Sequence, residues 1–117
     1  MLKTSIHDPK FLTFNIHCKL WTYVPKNKDD KGSWVFVTLP KKTSREVLEK
    51  VSHRPRRGFG AVKVVVTIGN TRWGTSMFPD TSQGAYILPI KKEVRKKENI
   101  SDGDSINITL EIVGLSH

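Results

Sequence analysis

The chain has 117 residues, which suits a single domain of residues 1–117 and leaves no room for two ordinary ones. Lys and Arg total 20 against 11 Asp and Glu, so the formal net charge is +9, and the apolar residues come in organised runs that exclude a disordered chain. The one cysteine, Cys18, excludes an internal disulfide and a cysteine-rich zinc site. No segment reaches the roughly 18 apolar residues of a membrane span, and the scarcity of cysteine favours a cytoplasmic protein.

The first half of the chain predicts two strands and a helix. Residues 11–24 alternate apolar and polar side chains with period two, which is typical of a strand with one buried face. Residues 33–39 are β-branched and aromatic throughout, which indicates a strand covered on both faces. Thr43 and Glu46 have the spacing of a capping box, so a short helix is expected from Thr43 to about residue 52.

The second half predicts four more strands and a second helix. The strands are expected at residues 61–68, 71–77, 86–88 and 104–113. A two-residue hairpin at Gly69–Asn70 joins the first two of these strands, and residues 78–84 are predicted as a turn region. Pro89 suits the first position of a helix that extends over residues 90–98.

These elements predict a mainly-β fold, a small closed six-stranded, mostly antiparallel barrel with two short helices. Alternating strands of this number close into a barrel or stack as a sandwich, and two helices are too few for a doubly wound sheet. The ordered core is expected to cover about residues 11–113. Its apolar interior is expected to include Phe14, Ile16, Leu20, Phe36, Val64, Val66, Ile106, Ile108 and Leu110.

Basic residues supply the candidate binding contacts. They lie in the glycine loop around residue 57, beside Trp73, and in the second helix, where they form the densest basic patch of the chain. Such residues can contact an anionic ligand or nucleic acid, although solvation alone explains a basic surface equally well. The candidates are Arg56, Arg57, Arg72, Trp73, Lys91, Lys92, Arg95 and Lys96.

Motifs of catalysis and cofactor binding are absent from the sequence. There is no GxSxG elbow, no HExxH and no P-loop, and Gly58 and Gly60 precede a strand instead of opening a helix. Cys18 is expected to be buried, with His17 on the opposite face of the strand. The tryptophans are assigned to packing, which leaves no aromatic platform for single-stranded nucleic acid. No catalytic residue, metal ligand or cofactor is therefore predicted.

An ordered set of motifs resembles the bacterial and archaeal family called domain of unknown function 1905, from about Phe11 to Val113. The motifs are Trp34-Val-Phe-Val-Thr-Leu-Pro40, Arg57-Gly-Phe-Gly60, Thr67-Ile-Gly69, Trp73-Gly-Thr-Ser-Met-Phe-Pro79, Tyr86-Ile-Leu-Pro89, Val94-Arg95 and Gly103-Asp104. The resemblance implies a small closed β-barrel with short helices between strands. It implies no established activity, cofactor or catalytic residue.

A shorter stretch, residues 86–113, is similar to the swapped-hairpin DNA-binding domains of AbrB-like and antitoxin regulators. The order of a strand, Pro89, a basic helix and a final strand carries this similarity. Three functions therefore stay open: a basic binding module of undefined ligand, a nucleic-acid-binding regulator, and an enzyme or small anionic-ligand binder with a site in the barrel mouth. The binding module is preferred to the enzyme. Arg95 and Asp104 are expected to form an ion pair that fixes the last helix-to-strand turn.

Overall fold

The computed structural model describes residues 11–24, 34–52 and 60–113, which form six strands and two helices. The strands are β1 (Phe11–Tyr23), β2 (Trp34–Thr38), β3 (Val62–Ile68), β4 (Thr71–Asp80), β5 (Ala85–Pro89) and β6 (Ser105–Val113). The helices are α1 (Lys41–Val51) and α2 (Lys92–Glu98). The predicted number and order of elements are confirmed.

The strands close into a barrel in the order β1-β2-β5-β4-β3-β6, and every neighbouring pair is antiparallel. Two long strands each serve two ladders. β1 pairs with β6 as far as Lys19 and with β2 from Leu20 onward. β4 pairs with β3 as far as Met77 and with β5 from Phe78 onward. The barrel therefore consists of two sheets that share β1 and β4, and the predicted closed barrel is confirmed.

The predicted turn at residues 78–84 begins too early, because β4 continues to Asp80. Phe78 pairs with Ile87, and Pro79 pairs with Tyr86. Proline has no N–H to give to a ladder, so it fits a strand only where one edge lacks a partner. The ladder between β4 and β3 has already ended at Met77, which leaves room for Pro79 in the strand.

Apolar side chains fill the inside of the barrel. The most deeply buried of these strand side chains are Leu20, Val37, Val64, Val66, Met77, Leu88, Ile108, Leu110 and Ile112. Ile16 is buried as predicted, and Phe14 and Ile106 are partly buried and pack against the same core. Every buried side-chain nitrogen or oxygen in the described residues has a hydrogen-bond partner, so this interior carries no unmet polar group.

The prediction of a buried Phe36 is wrong. Val35 and Val37 are buried, so the period of two turns Phe36 to the outside of the barrel. Residues 34–37 are all apolar, and such a run hides the alternation that decides which side chains enter the core. Phe36 instead lies beside two tryptophans on the outer surface.

α1 begins before the predicted capping box. Its first residue is Lys41, Pro40 holds the N-cap position, and no side chain caps the helix. Thr43 lies inside the first turn and is buried together with Ser44. The Ser44 hydroxyl accepts a hydrogen bond from the Tyr86 N–H at 3.0 Å, which ties α1 to β5. Ser44 in this turn therefore joins α1 to β5, and no side chain of the turn caps the start of α1.

α2, in contrast, begins later than expected. Pro89 is the last residue of β5, and the helix starts at Lys92. No ion pair joins Arg95 to Asp104, so that prediction is wrong. The Arg95 Nε donates to the Ile90 carbonyl at 3.0 Å, and Asp104 accepts from the Ser101 N–H at 2.9 Å. Neither helix has the length and apolar character to cross a bilayer, within the residues described.

Glu98 at the end of α2 holds the β3–β4 turn. Its carboxylate accepts from the Thr71 hydroxyl at 2.6 Å and from the Asn70 N–H at 3.3 Å. Gly69 in this turn has a φ of +57°, which side chains rarely adopt, and a Cβ there would overlap the Glu98 carboxylate. Glycine is therefore favoured at this position, because any other side chain would strain the backbone and displace the Glu98 carboxylate.

Leu20 and Leu48 form a matched pair for testing the core. Leu20 is 1% exposed inside the barrel, whereas Leu48 is 47% exposed on α1. We expect Leu20→Ala to lower the free energy of unfolding by about 2–5 kcal/mol and Leu48→Ala to change it by less than about 1 kcal/mol. Urea denaturation of both variants measures the difference, and equal losses would contradict the barrel interior described above.

The Gly69 contact predicts a coupling with Glu98. Gly84 also has a positive φ, +65°, but a Cβ there would meet nothing within 4 Å. Each glycine-to-alanine change should cost about 1–2 kcal/mol for the left-handed backbone. Gly69→Ala should cost about 1–2 kcal/mol more, because it displaces a hydrogen-bonded carboxylate. In a Glu98→Ala background this excess should vanish, and a double-mutant cycle by urea denaturation checks it.

Candidate binding surface

The structure does not gather the predicted basic residues into one site. Arg56 and Arg57 lie outside the described residues. Lys91, Lys92 and Lys96 are exposed around α2, as the sequence prediction requires of contact residues. The fourth member of this group, Arg95, is partly buried, and its Nε is engaged by the backbone carbonyl described above.

Arg72 and Trp73 face opposite sides of β4, because neighbouring residues of a strand alternate. Trp73 is partly buried and packs against the core. Arg72 is exposed on the outside, where its Nη2 lies 3.1 Å from the Glu111 carboxylate. The two neighbouring candidates therefore do not lie on one surface of the barrel.

Four aromatic side chains instead lie together on the outside of β1 and β2, and we call them the aromatic face. They are Trp21, Tyr23, Trp34 and Phe36. The register pairs Trp21 with Phe36 and Tyr23 with Trp34. The Trp34 and Phe36 ring centroids are 6.3 Å apart with planes 13° from parallel, and those of Trp21 and Phe36 are 5.1 Å apart. Trp34 is 60% exposed and Tyr23 is 51% exposed.

A hydrogen-bond chain fixes the orientation of one ring of this face, that of Trp21. The Trp21 Nε1 donates to the Thr38 hydroxyl at 2.9 Å, and that hydroxyl donates to the Gln83 side chain at 3.3 Å. Trp21 therefore presents its ring to Phe36 with its polar atom already bonded. Such an arrangement keeps flat ring surfaces in place without a bound ligand, which lowers the entropic cost of binding.

Sequence reasoning missed this face because it assigned Trp21 and Trp34 to packing. Trp21 is partly buried, but on the outer side of β1, and Trp34 is the more exposed of the two. A signal was present, since Trp21 and Tyr23 fall on the opposite alternation from the buried Leu20. The register of β1 against β2, which brings the two pairs of rings together, was not readable from the sequence.

Two lysines border the aromatic face, one on β1 and one at the N-cap of α2. Lys19 is exposed on β1 and shares the alternation of Trp21 and Tyr23. On the other side, the Ile90 N–H donates to the Val35 carbonyl at 2.9 Å, so the ladder of β2 and β5 continues past Pro89. Extending that register by one residue beyond Val35 and Ile90 places the backbone of Lys91 opposite Trp34. The predicted contact residue Lys91 thus borders a surface that the sequence did not reveal.

The opposite half of the outer surface is polar. His17 and Asn107 are hydrogen-bonded at 2.7 Å, and the Thr109 hydroxyl donates to the Asn15 side chain at 2.9 Å. A shallow groove of about 340 Å³ runs over these side chains and reaches Gly69. Its polar groups already bond one another, so a ligand there would have to compete with existing hydrogen bonds.

Two titratable groups in the described residues have shifted pKa values, one in the core and one in the turn after β4. Burial raises the pKa of the Cys18 thiol from 9.0 to about 11. Hydrogen bonds from Ser82 and Gln83 hold the pKa of Asp80 below its usual value, at the turn after β4. No group of three or more His, Cys, Asp and Glu side chains is placed to hold a metal ion within the ranges 11–24, 34–52 and 60–113.

The buried Cys18 thiol predicts a pH dependence of stability. Because its pKa is higher in the folded protein, the neutral thiol stabilises the fold below about pH 9, and this contribution is lost as the pH rises towards 11. The stability gap between the natural protein and Cys18→Ala should therefore narrow by about 1–3 kcal/mol between pH 8 and pH 11. Urea denaturation of both proteins across this range measures the gap, and a constant gap would contradict the raised pKa.

Comparison with known proteins identifies a family. The family model described as domain of unknown function (DUF1905) matches residues 19–110, a span that begins in the last part of β1 and ends within β6. Curated proteins and solved structures gave no significant match. The matched span covers most of the barrel and contains the whole aromatic face, and the chain belongs to the DUF1905 family.

Proposed function

We propose that the protein is a binding module and that its aromatic face is the surface that contacts the ligand. One observation carries this proposal, the exposure of Trp34 and Tyr23 in register on adjacent strands. Large exposed aromatic side chains that lie together mark interaction surfaces, because their burial against a ligand is strongly favourable. The Trp34 ring lies against Phe36, and Phe36 in turn lies against Trp21.

The packing of the barrel supports an external site. Side chains such as Val66, Leu88 and Leu110 fill the interior and are essentially inaccessible to solvent. A ligand pocket of ordinary size would require several of them to be absent or small. Binding through the outer surface needs no such change, and it uses side chains that serve no role in the core.

The alternative of an enzyme or anion-binding site in the barrel mouth has less support. Its sequence candidates included Arg57, Arg72, Trp73 and Lys91. Arg72 is engaged with Glu111, and Trp73 packs inward. Among the described residues, the groups with shifted pKa values are the buried Cys18 thiol and the Asp80 carboxylate in a turn. Both positions favour a structural role over a catalytic one. A cytoplasmic location stays a prediction from the sequence.

Small flat-ring probes test the aromatic face directly. The three tryptophans give three indole N–H signals in a spectrum of protein labelled with ¹⁵N-tryptophan. Titration with indole, phenol or adenosine should shift the Trp34 signal in a saturable way and the Trp21 signal less, because Trp21 is more covered. Trp73 packs against the core and should not respond, so it serves as an internal reference.

Two controls define the outcome of this titration. tert-Butanol is apolar but has no ring, and it should shift the Trp34 signal less than the flat probes do. Trp34→Ala should remove the response of Trp21 as well. A titration in which only Trp73 responds, or in which no indole signal moves, would contradict the proposal.

A further inference from the structure

We infer that the aromatic face binds single-stranded nucleic acid, with bases stacked on Trp34 and Tyr23 and phosphates held by Lys19 and Lys91. This inference rests on the proposed function and names its ligand class. Proteins that bind single strands combine exposed aromatic rings with positive charge along the backbone path. Both features are present here on one surface of the barrel.

The rings offer the stacking half of this recognition. Tyr23 and Trp34 are paired across adjacent strands and are each more than half exposed. Trp34 is near-parallel to Phe36, so a base could extend an aromatic stack that has already begun. Stacking accepts any base, because every base has a flat π-face. The ligand is therefore defined by exposed bases and not by one sequence.

The lysines offer the phosphate half. Lys19 lies two positions before Trp21 on the outer side of β1, and Lys91 aligns with Trp34 beyond β2. The two lysines are separated by two strand spacings across the sheet and by four residues along the strands. Their Cα atoms are therefore roughly 16 Å apart, at opposite corners of the face. A few stacked bases at about 3.4 Å each would bridge that distance. The aromatic rings lie between the two lysines, so a single nucleic-acid strand that crosses the face diagonally can contact all of them.

Two acidic side chains linked to this region are already hydrogen-bonded, whereas Glu93 is exposed two residues after Lys91. Asp102 accepts from the Thr22 hydroxyl at 2.8 Å. Asp80 accepts from Ser82 and Gln83 in the turn that follows β4. The net charge of the chain is +9, which attracts a polyanion and opposes the approach of a second copy. Charge therefore favours a nucleic acid over self-association as the occupant of the aromatic face.

A single strand fits better than a duplex. In a duplex the bases are stacked on one another, and their flat surfaces are closed to protein side chains. The rings of Trp34 and Tyr23 lie on the outer surface of a sheet, which a splayed strand can follow. Duplex DNA could use only the lysines, so its binding should be weaker and indifferent to the rings.

The test measures fluorescence anisotropy of a labelled single strand of about a dozen nucleotides and of the matching duplex, at low salt with the full chain. The single strand should bind more tightly than the duplex. Trp34→Ala should weaken single-strand binding roughly 5- to 150-fold, which corresponds to about 1–3 kcal/mol for one stacked base. Trp34→Phe keeps a ring and should retain most of the affinity.

A second pair of variants tests the charge contacts. Lys91→Ala should reduce the slope of log affinity against log salt by about 0.7, the value for one phosphate contact on a single strand. Lys63→Ala removes the same charge from the exposed side of β3, which lies across the barrel from β2. Lys63→Ala should leave both affinity and slope unchanged. Circular dichroism and thermal melting show that each variant is folded.

Each alternative has a distinct result. Equal binding to duplex and single strand, unchanged by Trp34→Ala, would overturn the inference in favour of nonspecific charge attraction. A dimer that sedimentation velocity detects and Trp34→Ala abolishes would overturn it in favour of a second copy. Absence of any oligonucleotide complex would also overturn it, whereas the proposed function would stand if flat probes still shift the Trp34 indole signal. The proposed function would be contradicted together with the inference only if the flat probes also fail to shift the Trp34 indole signal.

Discussion

The architecture depends on one strand that serves two ladders. At Leu20, β1 leaves its partner β6 and begins to pair with β2. The Leu20 N–H donates to the Asp104 carbonyl, and its own carbonyl accepts from the Gly103 N–H, both at 2.9 Å. The turn before β6 therefore supplies the backbone partners at the point of transfer. Because the Leu20 side chain is also buried, the register of both ladders and the packing of the core are fixed at one residue.

This transfer divides the outer surface into two regions of different chemistry. Before Leu20 the outward residues of β1 include Asn15 and His17, which bond to polar partners on β6. After it the outward residues are Trp21 and Tyr23, which face Phe36 and Trp34 on β2. The first region satisfies its own hydrogen bonds and behaves as a solvated surface. The second exposes aromatic area that no part of the described chain covers.

A filled barrel directs any binding function outward. Small barrels of this size have just enough interior for side chains, so a packed core and an internal ligand compete for the same space. In this protein apolar side chains fill the interior, and Val37, Leu88 and Leu110 are fully buried. The outer aromatic rings add nothing to that core, and exposed tryptophan is unusual on a surface without a partner. The chain thus separates stability and recognition between the two sides of the same strands.

Sequence alone determined the elements and their class. Clear alternation in residues 11–20 and 104–113 sets which side chains enter the core, because the side-chain period of a strand is two. The burial of Cys18 beside an outward His17 follows from the same rule. The family resemblance and the closed six-stranded barrel were also predictable, since several short strands with turn signals have few other solutions.

Tertiary structure decided the rest, and for physical reasons. Phe36 lies in an apolar run without visible alternation, so only its ladders with β1 and β5 show that it faces outward. Arg95 and Asp104 carry opposite charges, yet nearby backbone groups bond each of them first. The aromatic face joins residues 21–23 to residues 34–36 through a cross-strand register, and the ladder of β2 and β5 brings the start of α2 to the same edge. A sequence specifies which residues alternate, whereas the pairing of strands determines which of them meet.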